Sequence, residues 1–294
     1  MRYLNKLIAI EPVRHIRLSD YIELTKPGIT MMVCLTTLSG FFLAGGNSFD
    51  FLLIHTLIGT ALIASGASAL NMGLEWESDG AMRRTKARPI PAGRLSPACG
   101  LTFGSVISFV GAVELFYVNF LTGVLAMLSL LLYVLVYTPL KRKTWLSTIV
   151  GAIPGALPPV MGWTAAQNAI TLQACWLFAF LFLWQLPHFL AIGWIYREDY
   201  TSAGFPLLSV IDCKGKRTSR LILTTIVALI LVSLFPVEGG QHRLLYQIEA
   251  FLLGITFLVT AVRFTLFKSN VRAKQLFFAS VIYLPILLAL RLFK

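Results

Sequence analysis

The sequence predicts an all-α, polytopic membrane protein: about nine transmembrane helices in one bundle, with the active site at the cytoplasmic side. Three observations predict it. Only 13% of the 294 residues are charged and 57% are hydrophobic, whereas soluble proteins carry about 25% charge. Uncharged runs cover 27–49, 51–74, 95–113, 115–140, 144–196, 221–237, 250–262 and 275–290, and most approach or exceed the roughly 20 residues that cross a hydrocarbon core as helix. Of the 25 lysines and arginines, 22 fall on alternate segments between those runs.

The expected spans lie near 28–46, 51–72, 97–117, 121–140, 146–165, 171–195, 219–236, 245–265 and 274–292, the 144–196 run being divided at Gln167-Asn168. Helix is required because lipid offers backbone groups no hydrogen-bond partners. The basic segments are 2–26, 83–94, 141–143, 197–220 and 263–274, while Arg243, Arg291 and Lys294 fall on the other side. The positive-inside rule then places the N-terminus in the cytoplasm and the C-terminus outside, in agreement with an odd number of spans. Residues 1–294 read as one membrane domain with a cytoplasmic segment 1–26. Glu11, Asp20 and Glu23 interrupt that segment, so neither a cleavable signal peptide nor a mitochondrial transit peptide is expected. A bacterial inner membrane is the expected location. The net charge of +12 is split among short loops, which excludes a nucleic-acid-binding module. Cys34, Cys99, Cys175 and Cys213 form no paired motif and read as core fillers and a loop thiol.

Along the chain, Lys26-Pro27 opens the first span. At the end of the second, Asn71, Glu75 and Asp79 recur every four residues, so a helix aligns them on one face, and Arg83 continues the stripe if the helix persists. Two carboxylates and an amide suit a hard cation such as Mg²⁺, which takes oxygen ligands and commonly shares them with a phosphate substrate. Arg83, Arg84, Lys86, Arg88 and Arg94 follow, a pool of donors for phosphate oxygens. Tyr137-Thr138 and Lys141-Arg142 close the fourth span on the same side. The Pro/Gly-rich stretch 151–159 loosens the fifth span around a bulky ligand or packs it tightly against a neighbour. In the sixth, Trp184-Gln185-Leu186-Pro187-His188-Phe189 precedes Arg197-Glu198-Asp199. Eleven residues separate His188 from Asp199, which an unbroken helix would place on one face, with Pro187 a possible kink. Glu114 and Glu249 read as interfacial, and His15, His55 and His242 receive no assignment.

These residues resemble the UbiA-type membrane prenyltransferases, whose first acidic motif corresponds to Asn71, Glu75 and Asp79. The haem-farnesylating branch of that family is the closer likeness. It is carried by Leu24-Thr25-Lys26-Pro27, by Met82, Arg84-Thr85 and Arg88-Pro89, by Tyr137-Thr138 with Leu140-Lys141-Arg142, by Gly151–Trp163, by Trp184-Gln185 with Pro187-His188-Phe189, and by Arg197 to Pro206. The likeness covers about residues 20–210; the last three spans match only as apolar helices. Glu75 stands where aspartate is commoner, and Ser147 where asparagine is. His188 stands where quinone-precursor prenyltransferases carry the first acid of a second motif, which Asp199 ends.

The resemblance implies farnesyl diphosphate as donor, haem B as acceptor and haem O as product. It implies Mg²⁺ on Asn71, Glu75, Asp79 and Asp199, with Lys26, Arg83, Arg84, Lys86, Arg88, Lys141 and Arg142 binding diphosphate. Trp163, Trp184, Gln185, Phe189 and Tyr137 would line the acceptor and prenyl pocket. His188 would contact the haem as an iron ligand or through a propionate, or direct the water that is added. Partners implied are the lipid bilayer and a downstream haem A synthase or oxidase assembly factor. Rival readings are a family member acting on an aromatic acceptor, which predicts acids in place of His188, and a transporter, which predicts charges deep within several spans. A CDP-alcohol phosphotransferase would need a downstream Gly-x-x-x-Asp-x-x-x-Asp that is not present.

Overall fold

A computed structural model describes residues 17–48, 50–235 and 243–292, except the Arg243 side chain. The expected basic residues before Arg17, together with His15, His242 and Lys294, lie outside the described residues. All regular structure among the described residues is helical. The elements are α1 (Leu18–Leu24), α2 (Pro27–Leu43), α3 (Phe51–Ala81), α4 (Pro97–Val118), α5 (Phe120–Leu140), α6 (Ser147–Gln167), α7 (Leu172–Ile195), α8 (Arg197–Ser202), α9 (Leu208–Ile211), α10 (Lys216–Ser233), α11 (Arg243–Phe267) and α12 (Asn270–Leu292). Seven are long and apolar enough to cross a membrane, and the bent pair α1–α2 makes an eighth. The remaining expected span, near 219–236, is α10, whose 18 residues include Lys216, Arg217 and Arg220 in the first five.

In a bilayer, helices associate through close packing and interhelical hydrogen bonds rather than by escaping water. Here α2 and α6 touch backbone to backbone. A Cβ on Gly40 would lie 1.9 Å from the Pro159 carbonyl oxygen, and one on Gly162 would lie 1.9 Å from that of Thr37. Tight packing is thus what the Pro/Gly stretch of α6 achieves. The helix runs through Pro154, Pro158 and Pro159 without ending. Pro158 has no N–H for the carbonyl of Pro154, and the Ser129 hydroxyl of α5 donates to that carbonyl at 3.0 Å instead.

The C-terminal end of α10 is closed in the same way. Its terminal carbonyls lack helical donors. Trp176 of α7 donates to Val232 at 2.6 Å, Tyr246 of α11 to Ser233 at 2.9 Å, Gln247 to Leu234 at 3.1 Å, and Arg291 of α12 to Phe235 at 2.9 Å. Arg291, expected as an external charge, is therefore buried, with its guanidinium 4.0 Å from the centroid of the Trp176 ring. His55 also has a partner that its sequence context did not reveal: its Nδ1 lies 2.6 Å from Glu114 Oε2, across α3 and α4.

Two departures bear on the site. Helix α3 stops at Ala81, with Met82 extended, so Arg83 leaves the acidic stripe and is exposed. Helix α7 continues through Pro187 and breaks at Tyr196. His188 and Asp199 therefore do not share an unbroken helix. Proline kept its place because the bundle holds the helix around it, whereas Tyr196 marks the end of the apolar run.

Candidate active site

The face of α3 carrying Asn71, Glu75 and Asp79 is buried, at 4%, 1% and 1% exposure. Each residue meets a different element. Lys26 Nζ donates to Asn71 Oδ1 at 3.4 Å, and Asn71 Nδ2 donates to Thr138 Oγ1 at 3.2 Å. Lys141 Nζ donates to Glu75 Oε2 at 2.8 Å. Arg88 Nη1 donates to Asp79 Oδ2 at 2.8 Å. Three polar levels, one helical turn apart, thus stand at the basic end of the bundle.

Local structure aims each cation. Lys26 occupies the break between α1 and α2 in a left-handed conformation, φ 47°, which costs a residue with a Cβ about 1–2 kcal/mol. Lys141 and Thr138 follow a π-helical turn, Leu132–Tyr137, in α5. The widened turn lets the Thr138 hydroxyl donate to the Tyr133 carbonyl at 2.9 Å and sets Thr138 and Lys141 against Asn71 and Glu75. Burial alone would lower Lys141, but the Glu75 carboxylate holds it above the ordinary lysine value. Its ammonium also lies 4.8 Å from the Phe205 ring centroid, within cation–π range.

The segment after α3 folds over this cluster. Thr85 Oγ1 donates to the Asp79 carbonyl at 2.7 Å, satisfying a terminal carbonyl of α3, and Ser202 Oγ of α8 lies 2.8 Å from the Asp199 carbonyl and 3.0 Å from that of Ala81. The Arg84 amide donates to Asp199 Oδ2 at 3.2 Å, while its guanidinium lies 4.9 Å from the Tyr196 ring centroid and 3.3 Å from the Tyr200 hydroxyl. Asp199 thus holds the loop backbone. Arg94 joins Asp20, Glu23 and the Ala87 carbonyl, tying the loop to α1. Arg83 and Lys86 are exposed, and Arg142 donates to the Leu74 carbonyl at 3.3 Å.

The aromatic residues divide among several neighbours. Gln185 donates to the Leu181 and Ala152 carbonyls at 3.1 and 3.4 Å, packed where Gly155 leaves room on α6. His188 turns instead to α12, its Nδ1 2.8 Å from Ser280 Oγ, between the rings of Trp184 and Phe277. Trp163 is buried with its indole N–H unpartnered, Phe189 is 42% exposed, and the Tyr137 ring covers Gly151. Ser147 is fully buried and its hydroxyl has no partner. Phe205, Ser280 and Phe277 were not singled out from the sequence. Phe205 fell inside a quoted motif as an unspecified position, and the other two lie on a helix that read only as apolar.

Among the described residues no three His, Cys, Asp or Glu side chains gather as a metal cage. The α3 face nevertheless fits a hard divalent cation. Glu75 Oε1 is buried with no hydrogen-bond partner, and the donors around it are carboxylate and amide oxygens, which suit Mg²⁺ when substrate phosphate completes the shell. A cleft of about 320 Å³ opens beside this cluster, lined by Lys26, Arg88 and Glu23 with Pro27, Ile29 and Met72. Cations beside apolar walls suit a ligand with a charged head and a hydrocarbon tail.

The sequence pattern of the UbiA prenyltransferase family matches residues 33–282. A protoheme IX farnesyltransferase of Solibacter usitatus is 46% identical over 284 residues, covering 93% of this chain and 97% of its own. That of Opitutus terrae is 38% identical, covering 94% and 95%. The mitochondrial one of Arabidopsis thaliana is 34% identical over 97% of this chain and 67% of its own. Among solved structures, one of digeranylgeranylglyceryl phosphate synthase in membranes aligns with a TM-score of 0.75 at 15% identity, covering 94% of this chain and 97% of the other. A UbiA homolog from Archaeoglobus fulgidus bound to GPP and Mg²⁺ gives 0.63 at 13% identity, covering 92% and 99%. At such identities the likeness is one of fold.

Proposed function

This chain belongs to the UbiA prenyltransferase family, and we propose that it transfers the farnesyl group of farnesyl diphosphate to a vinyl group of haem B, with addition of water, giving haem O for terminal oxidase assembly. The observation that carries the donor half is the buried ladder in which Lys26, Lys141 and Arg88 meet Asn71, Glu75 and Asp79. Three cations face two carboxylates, which leaves positive charge for an anionic head. The acceptor half is supported by the names of the relatives and by His188, which stands where an acid would serve an aromatic acceptor.

Breaking the allylic C–O bond leaves diphosphate, whose developing charge must be stabilised where water is scarce. Lys26, Lys141 and Arg88 are placed to bind its oxygens. Arg84, Arg83, Lys86 and Arg142 stand further out, where they attract the anion. Held by Asn71, Glu75 and Asp79, Mg²⁺ would supply Lewis-acid stabilisation of the leaving group. Asp199 orders the Arg84 turn that covers the site. Trp184 and Phe277, about His188, offer electron-rich faces to the allylic cation and exclude water. The farnesyl tail lies among apolar spans.

We place the protein in a bacterial inner membrane, with this end of the bundle cytoplasmic and the C-terminus external, and its product passing to a haem A synthase or an oxidase assembly factor. Purified protein incubated with haem B, farnesyl diphosphate and Mg²⁺ is expected to yield haem O by mass spectrometry, and chelation is expected to stop the reaction. Undiminished product from a Glu75→Ala, Asp79→Ala double variant would refute the donor site. Turnover of a quinone precursor in place of haem would refute the acceptor.

A further inference from the structure

Ser280 sits on α12, in the part of the chain whose sequence read only as apolar helix, and it is fully buried. Its hydroxyl has two near neighbours. The Phe277 carbonyl oxygen lies 2.6 Å away and His188 Nδ1 lies 2.8 Å away. A hydroxyl has one proton to donate. Two oxygens 2.6 Å apart repel unless a proton lies between them, so that proton is committed to Phe277. Ser280 must then accept from His188, and Nδ1 carries the imidazole hydrogen.

The rest of the ring is held as firmly. Trp184 stacks on it, with centroids 5.0 Å apart and planes at 24°, and Phe277 covers it at 4.9 Å. Trp184 is itself anchored, its indole donating to the Ser280 carbonyl at 2.7 Å. One residue of α12 therefore fixes both the imidazole and the ring stacked on it. With Nδ1 protonated, Nε2 of the neutral ring is a lone-pair donor that cannot offer a hydrogen bond to a propionate oxygen.

We propose that Ser280 is a positioning residue that holds His188 in its Nδ1–H tautomer, so that Nε2 presents its lone pair to the iron of the haem acceptor. The inference rests on the acceptor reading above and selects iron among the contacts open to His188. It follows a general pattern in which the second ring nitrogen of a metal-ligating histidine is fixed by an outer partner, whose loss costs about 10–100-fold in metal affinity.

The test has two arms. ¹⁵N NMR of histidine-labelled protein in detergent, with no haem present, reads the tautomer directly; the chain has four histidines, and His188→Gln assigns the signal. Wild-type protein is expected to show Nδ1 protonated and Nε2 bare, and Ser280→Ala a mixture of tautomers. A wild-type signal with Nε2 protonated overturns the inference without any variant at position 280. In the second arm, haem B is titrated and followed by its Soret band. Ser280→Ala is expected to weaken haem binding about 10–100-fold and to lose the histidine-ligated spectrum, as His188→Ala does, while Ser280→Thr, which keeps the hydroxyl, retains it. Binding of farnesyl diphosphate with Mg²⁺ reports that each variant is intact. Wild-type haem affinity and spectrum in Ser280→Ala overturn the inference and leave the acceptor reading standing. Wild-type protein that takes up no haem overturns both.

Discussion

Glu75 is the residue on which most of the site's energetics turns. Its carboxylate is buried, Oε2 pairs with Lys141 at 2.8 Å and Oε1 has no hydrogen-bond partner. Removing one member of a buried ion pair leaves the other charge uncompensated, at a cost of about 3–5 kcal/mol, while replacing both by neutral groups of similar size is often close to neutral. Lys141→Met is therefore expected to lower the thermal unfolding temperature in detergent, and adding Glu75→Gln is expected to restore most of it. On the proposed function neither protein should recover turnover, because the cation assigned to the diphosphate is gone from both. Recovery of haem O formation in the double variant would show that the pair serves stability alone. The i, i+4 spacing made the acidic face legible from the sequence. Which cation meets which acid was not legible, because Lys26, Arg88 and Lys141 come from three separate segments and only packing selects them from a larger basic pool.

Among the elements, the π-helical turn of α5 and the glycine contact of α2 make sharply local predictions. One residue advances an α-helix by about 100°. Deleting Leu135, which is 64% exposed on the outer surface of the π-turn, should rotate Thr138 and Lys141 away from Asn71 and Glu75 and abolish activity. Leu135→Ala should keep activity near the wild-type level. Equal activity in the two variants would show that the turn does not set the register. On α2, Gly40→Ala forces a Cβ against the Pro159 carbonyl and is expected to destabilise by about 1–3 kcal/mol, the usual range for overpacking. Gly28→Ala, with nothing within 4 Å of the added carbon, should leave the unfolding temperature unchanged or slightly raised. Nothing in the apolar run 115–140 signals a π-turn, because helix widening responds to neighbours rather than to composition. Similarly, nothing in the sequence marks Tyr196 as the end of α7, which continues as helix through Pro187.

For the whole molecule, the segregation of basic residues makes a prediction about sidedness. Cys213 is exposed in the loop between α9 and α10, at the basic end, whereas Cys175 is exposed near the opposite end of α7. A membrane-impermeant maleimide should reach Cys213 in inside-out vesicles and not in intact spheroplasts. Labelling of Cys213 from outside would invert the assigned orientation. The same arrangement gathers Lys26 before α2, the acidic face of α3, Lys141 after α5 and Arg88 of the loop after α3 at one end of the bundle, so these groups form one cluster rather than scattered loop charges.

By itself the sequence determined that the chain is a helical membrane protein, which end of the bundle gathers the basic residues, and which helix face holds the acids. All three follow from local rules: apolar length, charge segregation and helical period. The tertiary structure alone decided that Arg94 clamps the loop to α1, that Arg291 and His55 have partners across the bundle, and that Asp199 holds the Arg84 turn. It also brought Ser280 and Phe277 to His188, 92 residues away for the serine. These pairings join positions with no common period, and in a bilayer they are chosen by close packing and by the need of each buried polar group for a partner.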